Sequence, residues 1–258
     1  MTRPFKISFL LLVAFFAAKL SVATAAGPDT RVYELRIYTA AEGKWDKLLS
    51  RFKEHTVRLF EKHGMTNVGY WQPLEGDEPK LYYLLSFKDA AAREQAWKDF
   101  IADEDWKAAY KASEADGKLA SKMERHVLTA TDFSPALDIA DKSPRVFELR
   151  TYTATPGNLP NLLARFRDHT VKLFEKHGMS NIGYWVPVKG QPDEETTLIY
   201  LLAHKDRETA KASFAAFGKD PAWQAAKKAS EVKGNGPLTI KGGVQSLFLK
   251  PVEFSKLK

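Results

Sequence analysis

The chain has 258 residues, with 39 Lys+Arg, 32 Asp+Glu and no cysteine, and 44% of it is hydrophobic. That length holds one large core or two small ones, and the apolar content is too high for a disordered chain. The missing cysteines exclude disulfides, thiolate metal sites, iron–sulfur clusters and thiol nucleophiles.

Residues 1–26 read as a secretory signal peptide. Arg3 and Lys6 form a basic start, Ile7 to Ala18 is an apolar run, and Ala23-Thr24-Ala25-Ala26 offers an Ala-x-Ala cleavage site. The run is shorter than the roughly 20 residues a spanning helix needs. An exported protein, periplasmic or extracellular, with no membrane span after cleavage is therefore expected. The segment carries Arg3, Lys6 and Lys19 and no acid, so its removal leaves 36 Lys+Arg against 32 Asp+Glu, a formal +4. No basic block is formed, and nucleic acid is not an expected partner.

Val32 to Thr39 is β-branched and aromatic, the pattern of a strand. Lys44 to Lys62 has apolar residues at helical spacing, and Gly64 stands where a helix takes a left-handed C′ residue. Asn67 to Gln72 reads as a strand stopped by Pro73, and Leu81 to Phe87 as a nearly continuous apolar strand. Ala90 to Ala115 reads as helix, interrupted near Asp103, and Met123 to Ala130 as a closing strand. The order is β-α-β-β-α-β, the ferredoxin-like arrangement.

The same order then repeats. Tyr33-Glu34-Leu35-Arg36 returns as Phe147-Glu148-Leu149-Arg150, Arg51-Phe52 as Arg165-Phe166, and Gly69-Tyr70-Trp71 as Gly183-Tyr184-Trp185. Phe60-Glu61-Lys62-His63-Gly64-Met65 returns unchanged from Phe174 to Met179. Between 33–73 and 147–187, 26 of 41 positions are identical. The chain thus divides into a signal peptide (1–26), repeat one (31–134), a linker (135–144) and repeat two (145–258). A lone ferredoxin-like sheet has helices on one face only, so the second copy is expected to cover the bare face. The fold class is α+β, with two repeats packed into a pseudo-dimeric α/β barrel.

The opening Tyr-Glu-Leu-Arg-x-Tyr strand, the helix end Phe-Glu-Lys-His-Gly-Met and the Gly-Tyr-Trp strand resemble the NIPSNAP family, within the dimeric α/β-barrel superfamily. The resemblance covers both repeats. It implies the fold more than an activity, since family members lack a defined biochemical role and mitochondrial ones are linked to protein interaction. Related barrels include cofactor-free oxygenases, haem-handling enzymes and isomerases.

In the first strand, Tyr33, Leu35 and Ile37 are expected to face the helices, and Glu34, Arg36 and Tyr38 the interior between the sheets. Glu148, Arg150 and Tyr152 take the same places in repeat two. Such charges form either a cross-strand network or a polar cavity for an anionic or polar small molecule. Adjacent Tyr70-Trp71 and Tyr184-Trp185 point to opposite faces, one of each pair inward. His55 and His169 border the apolar helix face, as hydrogen-bonded residues or as general bases. His63 and His177 suit the helix dipole in the last turn. His55 and His63 lack the i, i+4 spacing of zinc helices, so no metal and no cofactor are expected. His126 and His204 have no histidine counterpart, Ser246 and Phe87 standing there instead.

Two functions follow from these residues. One is a small-molecule-binding or protein-interaction module; the other is a cofactor-independent enzyme, oxygenase- or isomerase-like, acting on a small organic substrate inside the barrel. A polar cavity shared by Glu34, Arg36 and His55 favours the enzyme, and a filled interior the interaction protein. Further oligomerisation stays open in both.

Overall fold

The computed structural model describes residues 29–139 and 145–258. The expected signal peptide and the end of the linker lie outside the described residues. Repeat one runs β1 (Val32–Ala40), α1 (Trp45–Arg51), α2 (Val57–Lys62), β2 (Thr66–Pro73), β3 (Lys80–Phe87), α3 (Ala90–Ala102), α4 (Glu104–Ser113) and β4 (Ala120–Ala130). Repeat two runs β5 (Val146–Ala154), α5 (Leu159–Arg165), α6 (Val171–Lys176), β6 (Ser180–Pro187), β7 (Thr197–His204), α7 (Arg207–Lys219), α8 (Pro221–Lys233) and β8 (Thr239–Pro251). This is the expected β-α-β-β-α-β order, twice over. No described helix is long and apolar enough to cross a membrane.

Local chemistry sets the helix ends. The side chains of Asp89, Asp103, Asp206 and Asp220 accept first-turn N–H groups as N-caps. Asp103 therefore makes the expected break in the long helical stretch of repeat one, and Asp220 makes the equivalent one in repeat two. Gly64 and Gly178 end α2 and α6 at φ of 77° and 76°. One feature was invisible to apolar spacing: π-helical turns, Phe52–Thr56 and Phe166–Thr170, join α1 to α2 and α5 to α6. There the Thr56 hydroxyl donates to the Arg51 carbonyl at 3.1 Å, five residues back, and Thr170 does the same to Arg165.

The strands close into an antiparallel barrel in the order β1-β3-β2-β8-β5-β7-β6-β4. Two equivalent seams join the repeats. At one, β2 pairs with β8 (Trp71 opposite Pro251); at the other, β4 pairs with β6 (Ala130 opposite Trp185). Every sheet edge is thereby paired.

The two faces of the barrel wall are reversed relative to the expectation. Tyr33 and Leu35 point inward and join Val68, Trp71, Leu84, Phe147, Trp185 and Leu249 in a core shared by both repeats. Glu34, Arg36 and Tyr38 point outward to the helices, as do Glu148, Arg150 and Tyr152. Alternation separates the two sets but does not say which is inside. The more apolar set takes the interior because that space is walled on every side, whereas the helix layer supplies counter-charges. Trp71 and Trp185 fill the middle of the barrel, where only about 10 Å³ stays empty. The sheet–helix cores are separate, one around Phe52, Phe60, Tyr70 and Tyr83, the other around Phe166, Phe174, Tyr184 and Tyr200.

Candidate functional site

Glu34 is wholly buried beneath the helices of repeat one. Its Oε1 accepts from Arg36 Nε at 2.5 Å, and its Oε2 from Arg93 Nε at 2.5 Å and Trp97 Nε1 at 3.1 Å. One carboxylate thus answers to two guanidinium groups, leaving one positive charge in surplus. Arg36 also donates to the Tyr38 hydroxyl at 3.0 Å and lies 3.9 Å from the centre of the Trp97 ring. Burial works against its charge, yet the neighbouring Tyr83, Tyr38 and Glu34 hold its pKa above the usual arginine value. It stays a cation.

Beside it Arg51 reaches back from the end of α1. Its Nη1 donates to Glu114 at 3.1 Å and Ser113 at 3.2 Å, while its buried Nε has no partner. Its guanidinium stands 5.5 Å from the Trp106 ring centre and 5.3 Å from that of Tyr110. Between sheet and helices these groups enclose a cavity of about 460 Å³. Arg36, Arg51, Lys118 and Lys122 line it against one acid, Glu114; its walls are aromatic. Ile101 and Met123, 62% and 65% exposed, frame its mouth.

Repeat two handles the equivalent carboxylate differently. Glu148 is bonded by Arg150, by His204 Nε2 at 3.0 Å and by Ser246 Oγ at 2.5 Å. Burial raises the Glu148 pKa, but the bonds from His204, Arg150 and Ser246 outweigh it and hold the carboxyl below its ordinary range. The domain-level offset explains the change of partner. Arg93 and Phe87 of repeat one become Ala210 and His204, so the second donor moves from helix to strand. Among the described residues one permanent cation, Arg150, bonds Glu148.

Of the expected site residues, Glu34, Arg36 and Tyr38 come together, as do Glu148, Arg150 and Tyr152. Tyr70 and Tyr184 join the sheet–helix cores, stacked on Tyr83 and Tyr200 with ring centres 5.4 and 5.2 Å apart. Trp71 and Trp185 are the inward members of their pairs. His55 and His169 do not reach the carboxylates; both lie on the outer helix surface, because the π turns rotate them away from the core. His63 and His177 do more than suit a dipole: each holds the N-cap carboxylate of the next helix, Asp103 at 2.7 Å and Asp220 at 2.8 Å. Sequence reasoning missed Arg51, Arg93, Trp97 and Glu114. The return of Arg51 as Arg165 together with Trp106 as Trp223 was the available signal. His126 stands opposite Leu35, and Leu247, not Ser246, takes its place opposite Leu149. It lies at one mouth of the barrel, in a funnel of about 600 Å³ with Ile37, Tyr82 and Thr151. Among the described residues no three His, Asp or Glu side chains gather as a metal site.

Comparison with known proteins places this geometry. The NIPSNAP family model matches residues 33–135 and again 147–256. An anthrone oxidase-like protein superposes with a TM-score of 0.60 at 12% identity, over 89% of this chain and 95% of its own. A Fusobacterium nucleatum protein described as a proposed monooxygenase does so at 0.58 and 10% identity, over 87% and 93%. An uncharacterized NIPSNAP-like domain protein from Burkholderia xenovorans is 18% identical over 43% of this chain and 93% of its own, with a TM-score of 0.38. No match is found among curated proteins. At these identities the structural likeness speaks for the fold alone. With the family model matched twice along its length, the chain belongs to the NIPSNAP family and carries two of its domains in one polypeptide.

Proposed function

We propose that the protein is an exported binding protein, and that repeat one takes up a small organic anion with a flat apolar body. One observation carries this reading: Arg36 and Arg51 project into an aromatic-walled cavity in which cations outnumber acids. Its volume of about 460 Å³ falls within the range of small-molecule sites. Two guanidinium groups provide forked donors for a carboxylate, and the Trp97 and Trp106 rings provide faces for an apolar body. Export rests on the N-terminal sequence, and the recovered protein should begin near Ala26 or Gly27.

Catalysis in the same cavity is the weaker reading. It needs a proton acceptor, and the expected carboxylate–histidine pair does not form, because His55 is outside and Glu34 is locked by three donors. Burial raises Glu114, but bonds from Tyr110 and Arg51 bring its carboxyl below the ordinary range, making it a weaker base.

Calorimetric titration with 2-naphthoate and with 2-naphthamide, its uncharged analogue, tests the binding reading. Naphthoate should bind, naphthamide roughly tenfold or more weakly, and Arg36→Gln should erase the difference. Equal affinities for the two compounds would refute it.

A further inference from the structure

The two repeats also differ on the outer face of the helix layer, around Arg165. This residue ends α5 and is 7% exposed. Among the described residues its Nη1 reaches only Ser230 Oγ, at 3.4 Å, and its Nε has no partner. Trp223 lies beneath it, ring centre 5.2 Å away. Its counterpart Arg51 pairs with Glu114 at 3.1 Å. Repeat two has a glutamate at the same place, Glu231, but that side chain turns to Lys227 at 3.9 Å. Lys227 stands where repeat one has Tyr110, so a cation has replaced a phenol and drawn the carboxylate off. A buried guanidinium remains that has no carboxylate within 4.0 Å among the described residues. Burial lowers its pKa, and the nearby Tyr152, Glu231 and Tyr200 offset this only in part.

A second pair of replacements acts at the same groove. At the equivalent place in repeat one, Lys47 and Asp116 form an ion pair at 2.8 Å. Their counterparts are Asn161 and Lys233, so one base has become neutral and one acid has become a base. Among the described residues Lys233 has no carboxylate within 4.0 Å. Together Arg165, Lys233, Asn161, Ser230 and His169 line an open cavity of about 180 Å³, with Asp168 the single acid in its wall.

We propose that this groove of repeat two is a binding site for a small oxyanion, a phosphate or a carboxylate, held by Arg165 and Lys233. The cavity is the size of such a group rather than of a larger organic molecule. The site is separate from the cavity of repeat one and does not depend on it.

Inorganic phosphate, sulfate and acetate are the probes, titrated into the full mature chain at ionic strength matched with sodium chloride. At least one should raise the melting temperature beyond the chloride control and bind by calorimetry. Lys233→Asp, which restores the charge of repeat one at an exposed position, should weaken that anion roughly tenfold or more. Glu231→Gln should keep stability without anion and hold or tighten affinity, since a carboxylate turned to Lys227 does not bond Arg165 and only repels an incoming anion. The proposal fails if no probe exceeds the chloride control, or if Lys233→Asp binds as the wild type does. It fails equally if Glu231→Gln alone lowers stability clearly, for then Glu231 already neutralises Arg165.

Discussion

At the scale of single residues, the repeats solve one problem in two ways. A buried carboxylate needs several donors, and truncating one partner leaves charge exposed to a low-dielectric surrounding. Repeat one uses Arg93 from α3, and repeat two uses His204 from β7. Arg93→Ala should therefore destabilise the protein by about 1–3 kcal/mol in urea unfolding, below the full cost of an orphaned charge because Arg36 and Trp97 remain. Adding Phe87→His, which copies repeat two, should recover a large part of the loss. Additive or worsened stability in the double variant would show that the exchange is not compensatory. A second prediction concerns acid. The bonds from Lys62 and then His63 hold the Asp103 carboxyl below its ordinary range, and Lys176 and His177 do the same for Asp220. A value lowered by folding means the unfolded chain takes up the proton first. This stability is present above the unfolded value of about 3.9 and is lost as pH falls through the folded value. Asp103→Asn with Asp220→Asn keeps the capping oxygens and removes the charge. Melting curves should show the variant less stable at neutral pH, with the gap to wild type closing below pH of about 4. A gap that stays constant with pH would contradict this. Glu34 and Arg36 were legible as chemistry in the sequence, but Arg93 was not. Nothing in local spacing says that a helical arginine 59 positions later meets that carboxylate.

At the scale of elements, period and punctuation carried most of the reading. The strands, the helix breaks at Asp103 and Asp220, and the glycine helix ends all follow from local chemistry that the chain displays openly. The inward face of β1 did not, since alternation is indifferent to what lies on either side. The π turns also escaped, because the Thr56 and Thr170 back-bonds leave the apolar spacing almost helical. The repeated Gly-Tyr-Trp motif gains a physical cause in β2 and β6. Inside the barrel the Trp71 indole folds back over Gly69, and a Cβ there would sit 2.3 Å from its ring; at Gly183 the distance to the Trp185 ring would be 2.4 Å. Gly69→Ala should overpack the shared core and destabilise by about 1–3 kcal/mol. Trp71→Phe in that background should relieve part of the strain. An unchanged melting temperature for Gly69→Ala would mean that the indole has room to move.

At the scale of the whole molecule, duplication puts both halves of a closed barrel into one chain and frees the two helix layers to diverge. The core between the halves is made by contacts such as Tyr33 with Trp185 and Trp71 with Phe147, ring centres 5.6 and 5.5 Å apart. Residues 31–134 expressed alone would expose that apolar face and should dimerise or aggregate in analytical ultracentrifugation. A soluble monomer would speak against the shared core. Divergence then leaves an aromatic, cationic cavity in repeat one and a differently charged outer groove in repeat two. The most direct measurement is a crystal structure of residues 27–258 grown with 2-naphthoate. The account predicts the ring system between Trp97 and Trp106, its carboxylate on Arg36 and Arg51, and no copy beneath the helices of repeat two. Naphthoate seated instead in the barrel mouth beside Ile37 and Thr151, or equally in both repeats, would contradict it.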